Sequence, residues 1–393
     1  MTVWNDAHFT ERLVHSNWMA NTAVLMYLNE RATGDPARDW LTVWGHRWFV
    51  GGHARVLVLG CGEGWLERTV ATWPFVAHID AVDFAADAVE RARELGRGIG
   101  NIDYGVVDLN RDELPRDAYD VVIAHSVLHH VANLEHAYAQ IERAMRADAT
   151  LLINEYVGPN RFQFSDGVLA IMNALLQCVR PGASRVRPSV EEMIANDPTE
   201  AVRSEEIVGF TERTFEVCER RDLGGTILQH LLYEIAEELR FEVPRERALV
   251  ELLCAIEAML VDGGRIGSDF TLLAARKKGS RVAPSKRALP PRTEAANDIE
   301  RDPLWRNGRR TSRPPSHGGR GRPPSSTHLR LLRVALLSAQ AHRANLFHES
   351  NLAAFLERFR ARGRDPWEWI IDRAPDDPAI RCLLRTAATL APA

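Results

Sequence analysis

Residues 55–67 read RVLVLGCGEGWLE. The apolar run VLVL breaks into three glycines spaced G-x-G-x-G, at Gly60, Gly62 and Gly64, and the chain then resumes with helical patterning. Glycine lacks a Cβ and accepts backbone conformations closed to other residues. A turn of this kind therefore lets a ligand lie against bare backbone, where amide groups and a helix N-terminus meet a polar group. The spacing alone is not specific. A dinucleotide site prefers G-x-G-x-x-G with an acid about twenty residues further on to hold a ribose. Here Leu66 and Glu67 stand where the later glycine would be, while the acid is present, because Asp83 closes the next strand-like segment.

Outward from the loop, strand and helix signals alternate. VLVL (56–59) leads into a helix ending near residue 72. HIDAVD (78–83), the helix AADAVERARELG, IDYGVVD (102–108), YDVVIAH (119–125), a helix over 134–145 and ATLLINEY (149–156) follow. Apolar strands separated by helices of this length imply a parallel sheet covered on both faces. Before the loop, residues 1–50 carry helical spacing, with Trp40, Trp44 and Trp48 on one face as expected core. After it, Pro159, Pro181, Pro188 and Pro198 break residues 157–210 into short pieces, read as a lid. TFEVCERR (214–221) is strand-like, helices are expected at 226–240 and 245–261, and SDFTLLAARK (268–277) is a natural last strand. The central unit thus spans 51–278, with insertions at about 157–210 and 226–262.

Residues 279–326 are rich in Pro, Gly, Arg and Ser and cannot bury enough apolar surface to offset ordering entropy, so a disordered linker is expected there. Helical patterning returns over 327–393 as a small module suited to a protein partner or self-association. Ser350, Asp365-Pro366 and Asp377-Pro378 mark its helix starts, each an N-cap type, two of them followed by proline at the first helical position.

A second acid, Asp108, closes the third strand-like segment. Glycine loop, Asp83 and Asp108 together resemble the class I S-adenosylmethionine-dependent methyltransferases, over about residues 50–277. The resemblance implies a Rossmann-like, doubly wound, mostly parallel α/β sheet of seven strands with helical lid insertions. It also implies S-adenosylmethionine as cofactor. Gly60, Cys61, Gly62 and Gly64 would face its methionine part, Asp83 would bind both ribose hydroxyls and Asp108 the adenine amino group. Phe84 and Leu109, directly after the acids, would flank the adenine ring, and His125 would border the cofactor at the end of the fourth strand.

In similar methyltransferases the segment AHSVLHHVANLEH (124–136) borders the transferred methyl, which makes His129 and His130 the nearest imidazoles. A histidine suits proton removal from an alcohol near neutral pH, so both are expected catalytic residues. Glu155, at the carboxyl end of the fifth strand, is a further expected base or hydrogen-bond acceptor. Arg161, Gln163 and Arg203 are expected either to touch substrate or to knit the lid together. H-x-x-x-H-H without a paired acidic cluster is thin for a metal, and none is expected. There is no Asp/Asn-Pro-Pro-aromatic element, no Pro-Cys nucleophile and no double-glutamate hairpin. The expected acceptor is accordingly a small molecule, a sugar or a lipid-linked group, methylated on oxygen.

Composition sets the outer limits. The chain has 393 residues, 45% of them hydrophobic, and a formal net charge of -4, enough for a full-size core. No run of about eighteen apolar residues is present, so no membrane span is expected, and the cytoplasm is the expected location. The five cysteines lack C-x-x-C spacing and are expected to be reduced thiols. Residues 276–325 hold fourteen arginines and lysines against four acids. Such a tether could touch phosphates, but it has no interleaved aromatics beyond Trp305, and no nucleic-acid partner is expected. A nucleic-acid-modifying enzyme and an NAD-dependent oxidoreductase are the competing classes.

Overall fold

Alternation along VLVL puts Val56 and Val58 on one face of β1 (Ala54–Leu59) and Leu57 and Leu59 on the other, each in a different apolar core. A strand buried on both faces needs helices above and below it, and the chain supplies them. The computed structural model describes residues 18–291 and 377–390. Ahead of β1 lie α1 (Thr22–Thr33) and α2 (Trp40–Trp48). After it come α3 (Trp65–Val70), β2 (Val76–Asp83), α4 (Ala86–Leu95), β3 (Ile102–Val106), β4 (Tyr119–His125), α5 (Leu134–Ala144) and β5 (Met145–Tyr156). The inserted segment holds α6 (Asp166–Val179), α7 (Val190–Asn196) and α8 (Ile207–Thr214). It is followed by β6 (Phe215–Gly224), α9 (Leu228–Leu232), α10 (Pro244–Asp262), β7 (Phe270–Lys277) and, far along the chain, α11 (Pro378–Leu390).

The seven strands run in the order β3-β2-β1-β4-β5-β7-β6. β1 to β5 pair in parallel, and β7 runs antiparallel to both β5 and β6. This is the expected Rossmann-like sheet. Its strand order reverses on either side of β1, which opens a crevice between the carboxyl ends of β1 and β4. One core joins that sheet to α1, α2, α6, α9 and α10, with Trp44 and Trp48 fully buried, while the other seats α5 through Leu134, Tyr138 and Ile141.

Several expectations change. The 226–240 helix shortens to α9, because the backbone turns after Leu232 and Glu234 takes a left-handed conformation (φ 61°). Residues 281–291, placed by composition in the linker, lie along the body. Ser285 N–H donates to the Arg47 carbonyl (2.7 Å), and the Arg287 guanidinium donates to the carbonyls of Phe49 and Gly51 while covering the Phe75 ring at 3.7 Å. Arginine can dock a chain this way without apolar periodicity, since its stem packs and its fork binds carbonyls.

The remaining linker and the helix starts at Ser350 and Asp365-Pro366 fall outside the described residues. The Asp377-Pro378 start does form a helix, capped by the Asp377 carboxylate. α11 packs against α6 and α10 and buries Ile380 and Leu383, each worth about 1.5–3 kcal/mol. Cys178 of α6 and Cys382 of α11 form a disulfide, which corrects the expectation of reduced thiols. Their 204-residue separation hides a pairing that only the docking of α11 brings about. Cys61, Cys218 and Cys254 are free.

Candidate active site

The carboxyl ends of β1 to β4 meet at one rim, and residues just beyond them line a cavity of roughly 510 Å³. Gly60 and Gly62 form its floor, at φ of 68° and 50°. A Cβ on Gly60 would stand 2.4 Å from that of Val127, whereas one on Gly62 would meet nothing within 4 Å. The first glycine is thus required by the neighbouring loop, and the second keeps a stretch of cavity floor bare. Gly64 opens α3 in the left-handed region, where a Cβ would collide with Glu67, Arg68 and Tyr104; it fixes the turn and is not on the cavity wall. Cys61 points into the core and is likewise absent from the wall.

The carboxylate of Asp83 accepts the N–H groups of Gly62 and Ala85, both at 2.9 Å, so it is held rigidly at the rim. Burial raises its pKa despite those bonds. Asp108 accepts both the backbone and side-chain N–H of Asn110 and faces the Arg111 guanidinium at 3.1 Å. Phe84, Asp108 and Leu109 stand on the wall with Asp83, so with Gly60 and Gly62 six of the residues expected at the cofactor line one cavity. His125 does not join them. Its ring lies between Trp40 and Trp65, at centroid distances of 5.4 and 5.6 Å, and burial lowers its pKa.

The far end of the cavity is polar and comes from distant parts of the chain. Ser126 leaves β4 in a left-handed conformation (φ 52°), and a short helical turn, Leu128–His130, follows. Glu155 accepts the N–H groups of Val127 and Leu128 through Oε1 and the Nδ1–H of His129 through Oε2 (2.7 Å). Glu155 is fully enclosed and does not line the cavity; its bond fixes the ring of His129. Burial works against the charged form of His129, but Glu155 first, then Glu200 and Asp197, outweigh it and hold the imidazole up at about 9. His130 has the opposite balance: burial and the neighbouring His129 charge push it well below the usual histidine range. Only His130 of the pair stands on the cavity wall. His136 lies apart, bonded to the Asp112 carbonyl.

Sequence reasoning missed the loop that faces these histidines. Thr199 lines the cavity and meets His130 Nδ1 at 3.1 Å, and Glu200 lies 3.8 Å from His129 Nε2 and 3.9 Å from His130 Nε2. The turn signal Asp197-Pro198-Thr199 was legible, but nothing in it says that the turn sits over His129. Arg161 is what puts it there. Its guanidinium donates to the carbonyls of Asp197, Pro198 and Glu200, and its own N–H binds the Ala201 carbonyl. Gln163 bonds the Arg161 and Pro188 carbonyls, and Arg203 pairs with Glu135 and Glu206. All three therefore knit the lid together.

Residues 57–153 match the family model described as a methyltransferase domain. The malonyl-[acyl-carrier protein] O-methyltransferase of Bacillus cereus is 27% identical over 127 residues, which cover 32% of this chain and 46% of that protein. A highly reducing polyketide synthase of Aspergillus nomiae is 27% identical over 112 residues, 26% of this chain and 4% of the synthase. The chain thus spans about half the length of the curated methyltransferase relatives it matches. Among solved structures, an S-adenosylmethionine dependent methyltransferase from Mesorhizobium loti has a TM-score of 0.38 at 16% identity, covering 61% of this chain and 97% of that one. For geranyl diphosphate C-methyltransferase of Streptomyces coelicolor A3(2) the values are 0.39 and 14%, covering 59% and 77%.

Proposed function

We propose that the chain, whose residues 57–153 match a methyltransferase domain, is a class I S-adenosylmethionine-dependent methyltransferase that methylates oxygen on a small-molecule, sugar or lipid-linked acceptor. The observation that carries the reading is the cavity itself. Bare backbone at Gly62, a rigid carboxylate at Asp83 and the Phe84, Asp108 and Leu109 walls meet in one space. An S-adenosylmethionine molecule needs such a set: a floor its chain can lie against, an acceptor for ribose hydroxyls, apolar cover for a purine and an acceptor for its amino group.

When bound, the cofactor supplies an electrophilic methyl on a sulfonium. The protein's own part is to hold and orient. Asp83 receives ribose hydroxyls on lone pairs that its two amide bonds leave over. Asp108 meets the purine edge, and Phe84 with Leu109 excludes water from its faces. At the other end His130 stands where an acceptor hydroxyl would enter, while Glu155 and Thr199 fix the rings of His129 and His130. Among the described residues no helix is long and apolar enough to cross a membrane.

The test is calorimetry. S-adenosylmethionine should bind the wild type, and Asp83→Ala should weaken it by at least about tenfold, since a hydrogen bond to a charged group contributes on the order of 1.5–3 kcal/mol. Unchanged affinity in a folded Asp83→Ala protein would sink the assignment. The oxygen part is checked on product: a methoxy carbon in the 13C spectrum supports it, and an N- or C-methyl signal overturns it.

A further inference from the structure

The corner where His129, His130 and Glu200 meet has more built into it than the reading above uses. Each histidine has its Nδ1 fixed by an oxygen: His129 by Glu155 Oε2 at 2.7 Å, His130 by Thr199 Oγ1 at 3.1 Å. Thr199 spends its single hydroxyl proton on Asp197 Oδ1 (2.7 Å), so toward His130 its oxygen can only accept. Both rings therefore donate through Nδ1, and in the neutral imidazole the acceptor nitrogen is Nε2. Those two Nε2 atoms face the same carboxylate, Glu200, at 3.8 and 3.9 Å. A carboxylate set against two imidazoles calls for positive charge in this corner, which a proton on His129 or an ion held among the three groups would supply. The surroundings sharpen the demand: Glu155 and Asp197 add two more carboxylates, and the nearby Arg161 guanidinium is committed to carbonyls.

We propose that His129, His130 and Glu200 form a binding site for one divalent first-row transition-metal ion at the end of the cavity. The donor set, two imidazoles and one carboxylate, suits zinc, iron, cobalt or nickel and leaves positions open for an exogenous oxygen. Carboxylate or hydroxyl partners on the far nitrogens of metal-bound histidines are what such sites use to fix tautomer and direction. The distances fit with slight closure: a tetrahedral ion about 2.1 Å from each ligand holds them about 3.4 Å apart, and here the three donor atoms lie within 4.8 Å of one another. The proposal departs from the expectation of no metal, which rested on the lack of an acidic partner near H-x-x-x-H-H; Glu200, from the inserted segment, is an acid beside them. The inference rests on the functional reading above and deepens it. An acceptor whose hydroxyl neighbours a second oxygen could use both as ligands, and the ion's charge would favour loss of the hydroxyl proton.

The experiment uses the full, tag-free chain, stripped with chelator and titrated with cobalt(II), followed by calorimetry and visible absorption. One ion per chain should bind at the Glu200 corner with d–d bands of low coordination number. Glu200→Gln and His130→Ala should each weaken it at least about tenfold. An exposed second cluster, His78, Asp80 and Asp103, is separated by His78→Ala, which should leave those bands unchanged. Wild-type binding no tighter than that of either corner variant, with all proteins folded by thermal melting, overturns the proposal and leaves a proton as the occupant. S-adenosylmethionine affinity is measured on the same samples. If the cofactor binds and cobalt does not, this inference falls alone; if cobalt binds and the cofactor does not, the functional reading falls alone.

Discussion

The two ends of the cavity are held by different means. At the proposed cofactor end every such residue lies within three positions of a strand's carboxyl end, and backbone geometry does the holding: left-handed glycines, and an aspartate whose two oxygens accept two nearby amides. At the histidine end the contacts join residues 129, 155, 161 and 199, and side chains do the holding. The first end depends on local chain shape and the second on a few single side chains. Substitutions should therefore act locally at one end and spread at the other.

Glu155→Ala should have the largest effect. It removes the acceptor for two amides and one imidazole in a fully enclosed place, and such orphaned partners cost about 3–5 kcal/mol. Chemical denaturation measures this; a loss under about 1 kcal/mol would show that backbone alone sets the 128–130 turn.

Next in size is Glu67→Gln, beneath the glycine loop. Burial raises the Glu67 carboxyl from its ordinary 4.5 to about 7, against the opposing pull of the Tyr104 hydroxyl and the Arg68 charge. The folded state thus keeps a proton that the unfolded chain loses, so this group weakens folding progressively as pH rises from about 4.5 to about 7, by up to about 3 kcal/mol. Glu67→Gln should be more stable than wild type at pH 8, with the gap closing toward pH 4.5. Parallel stability curves for the two proteins would contradict it.

The smallest of the three is Arg161→Gln, which cuts the staples on the 197–201 loop and leaves the cofactor end intact. Methyl transfer should slow by about tenfold or somewhat more, through misplacement of Thr199 and Glu200, with S-adenosylmethionine affinity within about threefold of wild type. An equal fall in both would erase the distinction between the two ends.

The same difference explains what could be read from the sequence. The alternating strands, Gly60, Gly62, Asp83 and Asp108 are written in spacing along the chain, because strand ends and turns are local events. Glu200 is not. It reaches His129 through an arginine staple thirty-nine positions away, between Arg161 and Glu200, and no periodicity encodes such a pairing. Glu155 was legible as an acid at a strand end but not as an amide acceptor, since the sequence does not say which way the next loop bends. His125 closes its strand as the spacing says, but its ring packs against Trp40 and Trp65 and does not line the cavity, a direction that spacing does not encode. The 281–291 strap failed for a related reason: composition measures apolar content, whereas Arg287 docks through carbonyls and a ring face.

The bond between Cys178 and Cys382 has a topological consequence. It turns the stretch of chain between those two residues into a covalent ring. A protease that cuts once inside that ring leaves both fragments tied, and the nicked chain keeps its full mass on a gel until a reductant opens the knot. A single cut before residue 178 or after residue 382 releases a piece at once. The part of the chain that joins the sheet to its last helix can therefore be severed without letting that helix go.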